Sequence, residues 1–426
     1  MVHFHFYRNT FVSFSVIKER IVGKQTTAAS MNRNFWIIAL ISLINSLSLT
    51  ILIPVIYLYG RQFGLNDFQT SLLFSAYSVA QFFATPVIGK LSDRFGRKPL
   101  LVISLLGTVV ANLIAGTAST AWVLFFARFL DGITGGNASV AQAVISDVTT
   151  PENRARAFGI NGAAFGLGFV LGPVLSLLAQ KVSLGAAFLV SSAIALVALV
   201  VTMFFLPESL HRKAAVTGNL FDLGLKNLIK GLAFPKVGIL LMINFLIGTT
   251  FTIFTYAFQP YFIQVLHQTN ESLTLMFLAF GVFSVLMQTW GVSILTRKLS
   301  LVYILFLSLF IRSASFLLMP IWANVVYFVA VSILFSLFNS LVQPMINALI
   351  SLNTKPEDQG TALGLNASYL SISNAFGPVI AGIMIHQSNL ATYAYPLYLA
   401  GVLTFGVLAL AIATRKRYQI QPGTPV

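Results

Sequence analysis

The chain contains no cysteine, which excludes disulfides, thiol nucleophiles and cysteine-ligated metals. It is also short of charge. Only 9% of its 426 residues are Asp, Glu, Lys or Arg, and just 11 of them are acidic. A chain folded in water carries about 25% charged residues, so these few ionic groups cannot build a solvated surface. What is plentiful is apolar side chain, 57% of the sequence, with a mean hydropathy of +0.85. A water-soluble enzyme, a nucleic-acid binder and a disordered scaffold are all excluded by this balance. The net charge of +15 ordinarily points to nucleic acid, but here the bases sit between apolar runs. The sequence describes an integral membrane protein whose constant partner is the lipid bilayer.

A helix that crosses a bilayer needs ~20 mostly apolar residues. Twelve such runs follow one another, the first over 35–58, the second over 69–89 and the last over 391–414. A β-barrel would need ~10-residue alternating strands, and runs such as Ile194–Phe205 do not alternate. The predicted fold is therefore an all-α membrane protein of twelve transmembrane helices. Lys and Arg accumulate on the cytoplasmic side of such proteins. With the N-terminus inside, 22 of the 26 bases fall in inner segments, and the outer loops hold only Arg61 and Lys181. Arg128 and Arg312 lie within spans. The expectation is a multi-pass protein of the cytoplasmic membrane with both termini cytoplasmic.

The segment 1–34 is read as a cytoplasmic leader. Phe4–Val16 is too short to span and lacks a signal-peptide cleavage site, and Met31 resembles a natural start, so residues 1–30 are either a mis-assigned start or a disordered leader. A central cytoplasmic loop over 207–236, carrying Pro207, His211, Arg212, Lys213 and Lys226, divides a six-helix half at 35–206 from a second at 237–414, with a tail at 415–426. The halves repeat. Pro151-Glu152-Asn153, Gly159-Ile160-Asn161 and Gly172-Pro173 recur 205 residues later as Pro356-Glu357-Asp358, Gly364-Leu365-Asn366 and Gly377-Pro378. Two parallel homologous halves are an arrangement used by transporters that rock about a central site.

The most specific local string follows the second span: Gly89-Lys90-Leu91-Ser92-Asp93-Arg94-Phe95-Gly96-Arg97-Lys98-Pro99. Gly89 is expected to let two helices approach closely, and Asp93 to cap the following turn. Arg128 and Asp131 are spaced i, i+3 within the fourth span and can face each other; an intramembrane charge is a functional candidate by default. Asp147 closes that span. In the fifth span Gly159, Gly162, Gly166, Gly168 and Gly172 form a small-residue face for tight packing, and Pro173 predicts a bend. Arg312 has no acid in the spans of its own half, and either faces a wet central cavity, attracting anionic or electron-rich substrate, or snorkels inward.

The loop string resembles the signature of the major facilitator superfamily. From residue 31 to about 414 the chain is similar to its twelve-helix drug:proton antiporters of the tetracycline-efflux type. The resemblance implies that Asp93 and Arg97, flanked by Gly89 and Arg94, pair with Asp147 in a latch that forms and breaks as the transporter alternates. It gives Arg128 a role in proton coupling and Gly172-Pro173 that of a bend limiting leak. Departures are specific. Asn45 stands nine residues before Pro54, where the family often has an acid, and Ser176-Leu177 stands where it has Gly-Gly. The second half keeps only Arg297-Lys298 of the loop string and has no equivalent of Arg128. Asp131 is then the one acid deep enough to carry a proton.

Polar residues on the spans give the expected cavity lining: Asn45, Gln81, Gln142, Asn161, Asn244, Gln259, Gln288, Asn339, Gln343, Asn347, Asn366 and Asn374, with Arg312 and the aromatics Phe251, Phe254, Tyr256 and Tyr369. Such a lining suits uncharged or weakly polar organic molecules. The leading expectation is a monomeric secondary transporter, without cofactor or metal, that exports drug-like compounds in exchange for protons. The alternative is a facilitator or importer of a metabolite such as a sugar or organic anion, with Arg312 as anchor. An enzyme is not expected, since His3, His5, His211, His267 and His386 lie in the leader, loops or span ends without a paired acid.

Overall fold

The computed structural model describes residues 33–149, 151–210, 231–232, 236–354 and 359–418. The leader up to residue 32, most of the central loop, Pro356-Glu357-Asp358 and the tail beyond 418 lie outside the described residues, as do the side chains of Pro151-Glu152-Asn153 and Gly159.

The helices of the described residues group into the following segments. In the first half, α1 runs over Arg33–Thr50 and resumes at Ile56–Gln62; α2 is Asp67–Phe95 and α3 Arg97–Gly116; α4 is Ala121–Thr134 followed by Asn137–Val148; α5 is Pro151–Gln180 and α6 Leu184–Phe205. In the second half, α7 is Val237–Pro260 and α8 begins as Asn270–Leu286, passes through a π-type turn at Met287–Gly291 and ends at Thr296. There follow α9 (Leu301–Leu318), α10 (Val325–Leu352), α11 (Gln359–Met384) and α12 (Tyr395–Thr414). Among the described residues, nine helices are individually long and apolar enough to cross a membrane. The segments α1 and α4 are each interrupted, α1 around Pro54 and α4 at Gly135-Gly136. Helix α5, by contrast, continues through Pro173.

The two ends of the bundle use different chemistry. Turns such as 63–66 and 117–120, at the distal end, launch even-numbered helices from polar caps: Asn66 with Gln69 in a reciprocal capping box, Thr120, Ser183, Thr269, Asn324, and Asn389 ahead of α12. The opposite, proximal end carries the basic clusters. Short polar caps satisfy backbone donors without adding charge, which leaves the charge bias concentrated at the proximal end.

Packing repeats with the sequence. Helix pairs α1–α5, α3–α6 and α2–α4 have counterparts α7–α11, α9–α12 and α8–α10, and the halves meet through α2–α11 and the related α5–α8. The contacts repeat in detail. A Cβ on Gly168 or Gly172 would run into Ser46 or Thr50 of α1, and one on Gly377 into Thr252 of α7. Close approach at these glycines lets Thr50 donate to the Gly168 carbonyl at 2.7 Å. The expected packing face is corrected at Gly162 and Gly166, where a Cβ would meet nothing within 4 Å.

Each half holds one apolar core near each end. The distal core of the second half, around Phe254, Phe258, Phe316, Phe328 and Phe335, also takes in Tyr57 of α1, with Leu58 and Phe74 packed against it. Phe254 and Tyr256 are 2% and 0% exposed and belong to this core, so they do not line an open cavity as expected. Many large apolar side chains on the outside are exposed, Trp122, Val182, Phe204 and Val326 each by 75% or more, as a lipid-facing surface requires.

Candidate functional site

At the proximal end the signature loop forms one ionic knot. Arg97 pairs through Nη1 with Asp93 Oδ1 at 2.5 Å and through Nε with Asp147 Oδ2 at 3.1 Å, joining α2, α3 and α4. Its Nη1 also donates to Ser92 Oγ at 2.7 Å, and Ser209 Oγ donates to Asp147 at 3.2 Å. The structure thus brings together Asp93, Arg97 and Asp147, the three residues that the resemblance pairs. Arg94 stays out of the knot and stacks over Phe95, 5.2 Å from its ring centroid. Asp93 is no cap. The N-terminus of α3 is capped by Glu208, whose carboxylate accepts from the backbone N–H of Arg97 at 2.8 Å and of Lys98 at 3.2 Å. Gly96 precedes it with φ +116°, and a Cβ there would strike the Glu208 carboxylate. Glycine is required on both counts. Sequence reasoning missed Glu208 because it lies 111 residues from its partner. At Gly89 no atom of the described residues lies within 4 Å of its would-be Cβ, so the close helix approach expected there is not seen among them.

Deeper in the first half, Arg128 Nη1 donates to Asp131 Oδ2 at 3.0 Å, with the two residues 6% and 5% exposed. The guanidinium lies 4.6 Å from the centroid of the Tyr77 ring of α2. Around it, α2 and α4 are drawn tight. Gly132 sits against the Tyr77 carbonyl and Ala80, and Gln81 donates to the Gly135 carbonyl at 2.8 Å, exactly where α4 is interrupted. Gln81 is thereby a tie between helices, not a free ligand group.

A small cavity of about 90 Å³ opens between α1, α3, α4 and α5, lined by Ser42, Asn45, Asn137, Gln142 and Asn161 among others. Asn137 donates to Asn45 Oδ1 at 2.8 Å, Gln142 is exposed, and the buried Oδ1 of Asn161 has no partner among the described residues. The matching position of the second half is filled. Asn244 Nδ2 donates to Asn366 at 2.6 Å, Asn366 to Asn347 at 3.1 Å, and Gln343 to Asn347 at 3.2 Å. Asn244 and Gln259 are 0% exposed and leave the list of lining groups, whereas Gln288 is exposed on α8, donating to Ser284 at 2.8 Å.

Arg312 neither faces a wet cavity nor snorkels. It is 1% exposed and donates to Asn339 Oδ1 at 3.1 Å and to Thr250 Oγ1 and the Ile247 carbonyl at 2.8 Å, with Phe316 and Phe251 stacked beside it. Asn339 is occupied by this contact. Asp131 is not alone among buried acids: Asp67, at the distal start of α2, is 1% exposed.

The Major Facilitator Superfamily model matches residues 38–235 and 240–425, nearly the whole described chain. The protein belongs to that superfamily. It is 26% identical over 396 residues to the class H tetracycline resistance protein of Pasteurella multocida, covering 91% of this chain and 97% of the relative. It is 25% identical over 380 residues to multidrug resistance protein 2 of Bacillus subtilis strain 168, covering 87% and 92%. Its fold matches a bacterial homologue of the human lysosomal transporter Spinster, solved in an inward-facing, unoccupied conformation, with TM-score 0.73 at 13% identity, covering 93% of this chain and 100% of that one. The chain is a multi-pass membrane transporter of small molecules, not an enzyme.

Proposed function

We propose that this facilitator-superfamily member exports small organic, drug-like molecules from the cytoplasm in exchange for protons, by opening alternately to the two sides of the cell membrane. The observation that carries the reading is the buried Arg128–Asp131 couple: an ionisable pair inside the spans of a transporter whose relatives are named for tetracycline and multidrug resistance. In this reading Asp131 carries the proton and Arg128 tunes it, the Asp93–Arg97–Asp147 knot latches the proximal end, and Gly172-Pro173 keeps the α1–α5 contact sealed against leak. The cavity beside Asn45, Gln142 and Asn161 receives the substrate. The charge bias supports a cytoplasmic proximal end with both termini inside, and the protein acts as a monomer.

The test is uptake of tetracycline and of a lipophilic dye into everted vesicles with an acid-interior gradient. Accumulation that disappears when the gradient is collapsed supports exchange with protons. Equilibration without accumulation, gradient or not, favours the second reading, a facilitator or importer of a sugar or organic anion. That alternative draws on the neutral Asn45–Asn137 pair at the cavity. Its expected anchor, Arg312, is enclosed by α7, α9 and α10.

A further inference from the structure

The proximal knot ties one half to itself, whereas a cluster at the distal end ties the halves to each other. The Asp67 carboxylate accepts from the Tyr57 hydroxyl at 2.7 Å on Oδ1 and from the Tyr393 hydroxyl at 3.0 Å on Oδ2. The Asp67 backbone carbonyl accepts from the Tyr256 hydroxyl. Tyr57 belongs to the first half; Tyr256, on α7, and Tyr393, in the turn entering α12, belong to the second. The four residues are 0–2% exposed, and the rings of Tyr57 and Tyr256 meet edge to face with centroids 6.3 Å apart. Beside them Arg61 donates to the Leu65 carbonyl at 3.0 Å. At the same level Gly382 of α11 lies against the Ser71 side chain, and its would-be Cβ is 3.3 Å from Phe68 Cα of α2, so α11 places no side chain between the helices there.

A carboxylate taken out of water is tolerated only when its oxygens are satisfied. Here both oxygens are satisfied, and one of the donors comes from the opposite half. The arrangement is complete only while the distal end is shut. Separating the halves removes Tyr393 and Tyr256 together and hands the carboxylate to water.

We propose that Asp67, with Tyr57, Tyr256 and Tyr393, is the distal clasp of this transporter, a gating group that holds the halves closed on that side and must release before the molecule opens there. The proposal rests on the alternating-access reading above. It assigns the two ends different hardware: an ionic knot within one half at the proximal end, and a carboxylate gripped by phenols across the halves at the distal end.

Because the sequence has no cysteine, spin labels at Val182→Cys and Trp322→Cys report the distal ends of the two halves without further change, and labels at Phe205→Cys and Leu299→Cys report the proximal ends. All four positions are exposed. Distances are measured by double electron–electron resonance in proteoliposomes. The Tyr57→Phe/Tyr393→Phe double variant keeps both rings and removes both phenol donors. Each lost bond to the charged carboxylate shifts the closed-to-open ratio by roughly tenfold, so a longer distal component appears. Asp67→Asn, isosteric with the native side chain, moves the ratio the same way by less, and Gly382→Leu, a wedge between α2 and α11, does so sterically. Tyr59→Phe, whose hydroxyl donates to Ala115 within one half at 2.9 Å, leaves the distances unchanged. A distal distribution unaltered in both the double variant and Asp67→Asn overturns the clasp. Distal opening without any shortening of the proximal pair upholds the clasp and overturns alternating access.

Discussion

Replacing Asp131 by Asn keeps the side chain's shape and an acceptor for Arg128 but removes the negative charge from a pair that is almost wholly buried. Leaving a buried cation without its counter-charge costs about 3–5 kcal/mol when the partner is deleted outright, and less when an amide oxygen stays in place. Asp131→Asn is therefore expected to fold and bind substrate while losing the response of transport to a pH gradient; gradient-driven accumulation equal to that of the native protein removes Asp131 as the carrier. At the proximal end, Glu208→Ala strips the cap from α3 and the acceptor for two backbone N–H groups. A cap is worth about 1 kcal/mol, so a lower unfolding temperature in detergent is expected, with Glu208→Gln retaining most of the loss-prevention. Of these side chains, Arg128–Asp131 was readable because its partners are three residues apart. Glu208 and Asp67 were not, since their partners lie in other helices. Asp67 in particular sits beside the turn residues Gly64 and Asn66, where an acid reads as an ordinary helix start in an outer loop. Arg312 was located correctly in its span, but its surroundings depend on where Ile247, Thr250 and Asn339 come to lie, and a single helix does not reveal that.

Among helices, the glycines of α5 divide by face. Gly168 and Gly172 abut Ser46 and Thr50, whereas Gly162 and Gly166 look onto open space. Small-residue spacing along one helix shows that some neighbour comes close but does not say on which side, which explains why the sequence grouped all of these glycines together. The difference is testable. Gly172→Val forces a branched side chain into α1 and is expected to destabilise by roughly 1–3 kcal/mol, whereas Gly162→Val or Gly166→Val leaves the fold intact. Fluorescence-detected size-exclusion profiles after graded heating separate the two outcomes, and equal melting of Gly172→Val and the native protein contradicts the packing. The spans themselves were legible, because runs of ~20 apolar residues admit little else in a bilayer. Their internal breaks were less so. The interruption of α4 arises from Gly135-Gly136 being held by Gln81 and pressed by Ile88, both of α2. Two adjacent glycines in a sequence do not announce that a neighbouring helix will hold them open.

Across the whole molecule, the contacts between halves include the Asp67 clasp, Gly382 against Ser71 and Gln180 donating to Thr274 at 2.9 Å near the distal end, and Gly281 packed on the backbone of Phe169 at mid-span. Among the described residues, no atom lies within 4 Å of a Cβ built on Gly162 or Gly166 of α5 or on Gly89 of α2. The described contacts between the halves thus reach from mid-span to the distal end. In the proposed cycle the proximal end must close, and α2 then meets α11 along its proximal length, where Gly89 is the residue without a side chain to obstruct the approach. Gly89→Leu separates these states. With no described atom within 4 Å in the present state, the larger side chain adds no strain here, so expression, melting and the proximal label distance remain those of the native protein. Closure then meets a side chain where none stood, and transport is expected to fall at least tenfold while substrate binding from the proximal side persists. Vesicle efflux and equilibrium binding on the same preparation read the two quantities separately. Native efflux by Gly89→Leu shows that α2 and α11 do not close over this position, and with it fails the idea that the open space beside Gly89 is one phase of the transport cycle.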